Sequence, residues 1–384
     1  AESLELSLGY RYADYSTAGG VNSYKAELLW APIDQVRVRG SYQRAVRAPN
    51  IGELFQPQVL NFPSIAGVGD PCSTDNPRST TDPDAAQVRD LCVQQGIPAS
   101  ALVPGGYLFT NSQVEGLAGG NPDLQEETSD SYTVGVVFQP QTEGLFANFS
   151  LSVDYYSIEI EDAVGAISAA TFIERCFDPQ FNPTYTNSNF YCQFFQRKPT
   201  GEITRALEVN NNLGAVETAG VDIQLDWAFE VGPGRLAFNW IAAYLDKYEV
   251  QSLPGEPFEA VEGTAGDTIG SAFPEWKWTF NVGYTWQGLG VNARWRYVDS
   301  MVDGFFDDAA TVGLFKLPSV DYFDLTASYA FQQGRLEGLT LRAGVTNLTD
   351  EDPVIYPSYQ QSNTDPSTYD VLGRRYFLGL NYKF

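Results

Sequence analysis

PEWKWTFNVGYTWQ, residues 274–287, decides the fold. Its even positions, Trp276, Trp278, Phe280, Val282, Tyr284 and Trp286, are all apolar or aromatic. Its odd positions, Glu275, Lys277, Thr279, Asn281, Gly283 and Thr285, are polar or small. Successive side chains of a strand point to opposite faces, so this period of two predicts one greasy and one wet surface. The pattern returns in 217–229, where Val221, Ile223, Leu225, Trp227 and Phe229 alternate with Asp222, Gln224 and Asp226. It returns again in 374–384, where Tyr376, Leu378, Leu380 and Tyr382 alternate with Arg375, Gly379, Asn381 and Lys383. Similar strands are expected over 3–15, 23–31, 35–45, 128–139, 145–157, 235–248, 290–299, 320–331 and 339–348. That makes twelve strands and an all-β chain.

A soluble sandwich also alternates, so the choice rests on length and charge. These strands run about 9 to 15 residues, beyond the usual five or six and long enough to cross a bilayer at a tilt. Aromatic residues lie near their ends, among them Trp30, Tyr42, Trp240, Tyr244, Trp286 and Tyr297, as an interfacial girdle requires. The wet face carries Arg37, Arg39, Asp226, Arg294, Arg296 and Arg342 in mid-strand, which a dry sandwich interior could not hold without partners. A transmembrane antiparallel β-barrel fits all three features, with outer-membrane lipid against its apolar face.

Connections alternate in length. The short ones are 32–34, 140–144, 231–234, 287–289 and 332–338. The others are 16–22, 46–127, 158–216, 249–273, 300–319 and 349–373. Short periplasmic turns opposite long extracellular loops is the outer-membrane arrangement. Residues 1–384 are therefore expected to form one barrel domain, integral to a bacterial outer membrane.

Composition removes most other readings. The 384 residues carry 23 Lys plus Arg against 48 Asp plus Glu, a net charge of −25 that repels phosphate backbones and argues against nucleic acid. Histidine is absent, which excludes Ser-His-Asp and Cys-His nucleophiles and His-ligated zinc. No enzyme, metal site or cofactor is expected. There is no transmembrane helix, since no apolar run approaches the roughly 18 residues one needs. The chain opens Ala1-Glu2-Ser3 rather than with Met, and is expected to be a processed product or a piece of something longer. Cys72 and Cys92, and Cys176 and Cys192, lie close in sequence inside two loops and are expected to form two disulfides in an oxidising compartment. Closing loops of that length contributes on the order of 3 kcal/mol each in the chain-entropy account.

Four segments resemble the carboxy-terminal barrel of TonB-dependent outer-membrane receptors. They are RAVRAPNIGELF at 44–55, NPDLQEETSDSYTVGV at 121–136, AGVTNLTDED at 343–352 and the terminal LGLNYKF at 378–384. In the last, Gly379, Tyr382 and Phe384 match the family's barrel-assembly signal, while Phe377 departs from the polar residue often found there. The resemblance implies 22 strands and an amino-terminal plug, of which these twelve strands would be the second half. The plug and the other barrel half are then absent partners, and the TonB complex would act through that plug. It implies energised import of a scarce small-molecule nutrient, a ferric siderophore or similar chelate ahead of an oligosaccharide. A passive diffusion porin is the rival and would need these strands alone to close.

Candidate ligand contacts are loop aromatics, which can stack on a sugar ring or an aryl chelate: Tyr107, Phe109, Phe190, Tyr191, Phe305, Phe306, Tyr356 and Tyr359. Phe194 and Phe195 belong to the same set. On the wet face, Arg37, Arg39, Arg294, Arg296 and Arg342 either pair with wall acids such as Glu5, Glu27 and Asp324 or face the plug that the resemblance implies. Acidic residues gather in 251–273 and 349–371, which hold no Lys or Arg.

Overall fold

A computed structural model describes residues 2–16, 19–66, 68–266, 271–303, 316–355 and 363–383. Twelve long strands carry it: β1 Ser3–Tyr15, β2 Gly19–Ile33, β3 Val36–Arg47, β4 Glu127–Phe138, β5 Asn148–Ala166 and β6 Ala206–Val231. The second six are β7 Gly234–Gln251, β8 Trp276–Trp286, β9 Leu289–Val298, β10 Val320–Ala330, β11 Leu339–Thr346 and β12 Arg375–Tyr382. Each pairs antiparallel with its neighbour in sequence, so the sheet is a continuous meander from β1 to β12.

Register confirms the two faces. Phe280 lies opposite Trp240 on one side and Trp295 on the other, and Trp295 opposite Phe323. One residue along, Asn281 lies opposite Asn239 and Arg294. A slip of one residue would exchange these faces wholesale, so the lipid-facing pattern fixes the register. On that face Leu4, Leu6, Leu8 and Tyr10 of β1 and Tyr376, Leu378 and Leu380 of β12 are exposed, as a hydrocarbon solvent demands. No helix occurs among the described residues of 274–331.

The hairpin turns sit at one end and the long connections at the other. Between β6 and β7 the turn is only two residues, Gly232-Pro233; Gly232 has φ +60°, the left-handed conformation that the first position of such a turn requires. Several boundaries differ from the sequence expectation. Residues 158–166 and 206–216, expected as loop, are strand: Ile158 pairs with Thr218 and Ala166 with Asn210. The loop between β5 and β6 is therefore 167–205. Similarly β2 begins at Gly19, inside the connection expected at 16–22.

Among the described residues β1 pairs only with β2, and β12 only with β11. The sheet is an open, partial barrel. Its larger packed core lies in the loops of 48–126 and 167–205, where Ile65, Val88, Leu91, Ile97, Phe172, Ile173 and Phe177 are essentially inaccessible.

The two faces respond differently to charge. Ile223→Arg on the lipid face of β6 is expected to cost about 2–4 kcal/mol near mid-bilayer, whereas Gln224→Arg one residue along costs little. Urea-unfolding titrations of the reconstituted full-length barrel check this, and equal costs would overturn the face assignment.

Candidate functional site

The lumen wall is built as a polar ladder. Across β6, β7, β8 and β9 a single row joins Asp226, Asn239, Asn281 and Arg294. Asn239 donates to Asp226 at 2.8 Å, Asn281 to Asn239 at 3.2 Å, and Arg294 Nε to Asn281 Oδ1 at 3.0 Å. A second device bridges β3 to β5 over β4. Arg39 clamps Asp154 with Nε–Oδ1 at 2.6 Å and Nη2–Oδ2 at 2.5 Å, a charge-assisted fork. Gly135 lies between them in register, and a Cβ there would fall 1.8 Å from Asp154 Oδ1. Glycine is what lets the fork cross the intervening strand.

Arg296 reaches Asp324 at 3.2 Å and Asp370 at 3.7 Å, its guanidinium 4.9 Å from the Tyr322 ring centre. Asp370 also binds Arg375 at 3.0 Å. This cluster ties the connection before β12 to the wall. Of the five wall arginines, Arg39, Arg294 and Arg296 are thus engaged by the wall itself. Arg37 and Arg342 have no hydrogen bond or ion pair among the described residues, and Arg342 lines a lumen recess of about 600 Å3 beside Arg294 and Asp324. The acids expected to pair differ in part. Asp324 does so, but Glu27 takes Lys25 at 3.0 Å, and Asp154 was invisible as a partner because 115 residues separate it from Arg39.

At the loop end, the first two motif segments meet. Helix α1, Ile51–Phe55, starts with a capping box: Asn50 Oδ1 accepts from Glu53 N at 2.9 Å, and Glu53 Oε2 accepts from Asn50 N at 2.8 Å. Arg47 closes on both Glu53 and Glu127, and Glu127 accepts from Val164 N at 2.7 Å. Asn121 donates its backbone N–H to Glu53 O and its side-chain amide to Asn210 O, each at 2.9 Å. Residues 44–55 and 121–136 therefore form one clasp that turns the chain out of the wall and back in.

Above the clasp the two long loops share one hydrophobic core, a cap. Cys72 is bonded to Cys92 and Cys176 to Cys192, with Cα separations of 5.8 and 4.9 Å. At its centre the fully buried Arg197 forks onto Asp70, Nη1–Oδ2 2.6 Å and Nη2–Oδ1 2.7 Å. Arg197 also donates to Gln95 Oε1 at 2.7 Å and Gly201 O at 2.8 Å; Asp70 accepts from Tyr107 Oη at 2.7 Å and Cys72 N at 2.9 Å. Desolvation of two such charges is offset only when their bonding is this complete.

The cap decides where the candidate aromatics lie. Tyr107 and Tyr191 are buried, with Tyr107 committed to Asp70; Phe194 and Phe195 stack on Phe172. Phe109 packs part-buried against the same core. Among the described candidates only Phe190 is exposed, at 46 %. Spacing in sequence could not separate these roles, because both kinds of aromatic lie in the same loops. Phe305, Phe306, Tyr356 and Tyr359 fall outside the described residues, as does Phe384; Gly379 and Tyr382 lie in β12.

Residues 1–348 match the family model for TonB dependent receptor-like β-barrels. The chain belongs to the TonB-dependent receptor family. Solved structures agree on the fold. The siderophore receptor PirA of Acinetobacter baumannii is 16 % identical with a TM-score of 0.56, over 100 % of this chain and 44 % of that one. A ferric enterobactin receptor mutant of Pseudomonas aeruginosa, in complex with enterobactin, is 14 % identical with a TM-score of 0.61, over 100 % and 44 %. The FrpB iron transporter of Neisseria meningitidis is 14 % identical with a TM-score of 0.54, over 99 % and 43 %. No curated protein matches the sequence. The chain thus spans less than half the length of these solved structures. TonB-dependent receptors are outer-membrane barrels that bind small-molecule ligands such as siderophores and work with TonB; the family is one of receptors and transporters rather than enzymes.

Two outcomes follow for the cap of this TonB-dependent receptor. Arg197→Ala leaves Asp70 buried and unpaired and is expected to cost about 3–5 kcal/mol, whereas Arg197→Met with Asp70→Leu recovers most of it; hydrogen exchange over 48–126 reports both. Burial pushes the Tyr185 phenol up to about 12, aided by its bond to Asp84, and raises Tyr107 as well. The folded cap keeps these protons to higher pH than the unfolded chain, whose tyrosines titrate near about 10. Their stabilisation is complete below that pH and is lost as pH rises from there toward about 12 for Tyr185. Limited proteolysis across this range should show the cap loosening, and Tyr185→Phe should weaken the dependence.

Proposed function

We propose that the full-length receptor imports a scarce nutrient across the outer membrane with TonB-coupled energy, a ferric siderophore or similar metal chelate being its cargo. The observation that carries this reading is the one-ended arrangement: a disulfide-stapled, packed cap at the loop end of a polar-walled barrel of this family. A preformed surface loses less ordering entropy on binding than a mobile loop, which suits capture of a dilute ligand. The structural neighbours include siderophore receptors and an iron transporter, and these support a chelate ahead of an oligosaccharide.

In this reading the cap and long loops face the exterior and the hairpin turns face the periplasm. The twelve strands are the second half of a 22-stranded barrel, and Arg37 and Arg342 face the plug. Phe190, with Phe109 at the cap's flank and Phe305, Phe306, Tyr356 and Tyr359 in the other loops, supplies ligand contacts. A porin would need β1 and β12 to join directly, and they do not pair among the described residues. An oligosaccharide cargo is supported by the acidic outer loops, which tolerate neutral ligands and repel anions.

The experiment is growth of strains with and without the receptor on defined nutrients. The deletion strain is expected to fail on one ferric chelate as sole iron source and to grow normally on ferrous iron; deletion of TonB should reproduce the defect. Failure instead on an oligosaccharide as sole carbon source would replace the chelate reading, and growth independent of TonB would remove energised transport.

A further inference from the structure

A pocket of about 290 Å3 opens in the cap, between the helix Ala85–Gln94 and the chain at 102–104. That volume is close to the lower limit of small-molecule sites, roughly 300 Å3, and confines an occupant to about one ring. Three constraints preform it. Cys72, in its lining, is bonded to Cys92, one helical turn from Arg89 and on the same face. Tyr107 N donates to Ala101 O and Gly106 N to Val103 O, each at 2.8 Å, which closes Leu102, Val103 and Pro104 into one apolar wall. Tyr107 O in turn accepts from Thr74 N at 2.8 Å, tying that wall to the opposite lining. A site fixed in this way loses little ordering entropy when it binds.

The polar groups of the pocket are of two kinds. Residues 48–126 carry nine acids and two arginines, Arg78 and Arg89. Arg78 binds Asp82 at 3.5 Å and Asp84 at 3.1 Å. Arg89, part-buried in the pocket lining, instead donates Nη1 to Ser79 O at 2.6 Å, and among the described residues no carboxylate bonds it. In so acidic a segment, a guanidinium kept from every acid is available to an anion from outside. The hydroxyls beside it work the other way. Thr74 donates to Tyr107 O at 2.9 Å, Ser79 to Ser73 O at 2.5 Å and Thr80 to Asn76 O at 2.8 Å. Their protons are spent, so they offer lone pairs only. A bare sulfate would meet one donor group and three acceptors. The fitting ligand is an anion that brings its own hydroxyl donors and has an apolar face for Leu102, Val103 and Pro104.

We propose that this pocket takes a hexuronic acid, its carboxylate on Arg89, its hydroxyls donating to Thr74, Ser79 and Thr80, and its C–H face on the apolar wall. The site stands whatever cargo the receptor carries. The test titrates the full-length receptor in bilayer discs with glucuronate, followed by ligand-observed NMR. Glucuronate should bind about tenfold more tightly than glucose, which lacks the charge; that is the fold-change of one hydrogen bond to a charged group. Cyclohexanecarboxylate and sulfate, which bring no hydroxyl donors, should each bind more weakly than glucuronate. Arg89→Gln should remove the preference over glucose. If that variant loosens the cap, Val103→Glu at an exposed position sets a like charge beside the carboxylate, and should weaken glucuronate about fivefold with glucose unchanged. A uronic-acid trisaccharide bound as tightly as the monomer identifies a polysaccharide end as the source, its exclusion identifies the free acid, and either keeps the proposal. Equal binding of glucose, sulfate or cyclohexanecarboxylate, or a full preference retained by Arg89→Gln and by Val103→Glu, would overturn it.

Discussion

Inside hydrocarbon no water is present to satisfy a backbone amide, so every N–H and C=O that crosses the bilayer must find a partner in the protein. The architecture follows from that. It permits strands only as members of a ladder, and it makes each strand depend on the next. The meander from β1 to β12 meets the requirement at every internal seam. It leaves the outer edges of β1 and β12 without partners among the described residues, each presenting a row of groups too costly to expose to lipid. The sheet therefore has a place only within a larger ring, in keeping with its match to less than half of each solved receptor.

The same constraint explains why the hydrophobic core is displaced into the loops. A barrel turns its apolar side chains outward and its polar ones inward, so the sheet cannot gather a conventional interior. The lumen wall is instead held by hydrogen-bonded rows, such as Asp226 to Arg294, and by the Arg39–Asp154 fork across Gly135. Above the bilayer water returns and burial again stabilises. There the two long loops pack around Phe172, Ile173 and Leu91, cross-linked by two disulfides and centred on Arg197 and Asp70.

Legibility in the sequence tracks this division. Within the bilayer one solvent faces each side of the strand, so alternation such as Trp278, Thr279, Phe280, Asn281 is readable residue by residue. Beyond it the rule lapses. Asn210, Asn211 and Asn212 of β6 have no greasy alternation, and register shifts between Asn212 and Val216 blur it further, so the first part of this strand reads as loop. The cysteine pairs were legible because each closes within a single loop. The Arg197–Asp70 pair was not, since 127 residues separate its members and either could as well be a surface charge. Loop aromatics divide between packing and display by tertiary position alone, which is why Tyr107 and Phe190 look equivalent until folded.

Charge adds a direction to the site. Residues 251–273 and 349–371 are acidic without basic residues, whereas two arginines of the wall, Arg37 and Arg342, are free of partners among the described residues. In the proposed orientation an anionic ligand meets repulsion at the rim, and that repulsion fades beyond about 8 Å at physiological ionic strength. A ligand whose charge is masked at its surface, as in a metal wrapped by its chelator, crosses the rim without loss. A bare anion of equal charge does not. In that reading the acidic rim favours compact, charge-neutralised ligands over simple anions before any specific contact is made.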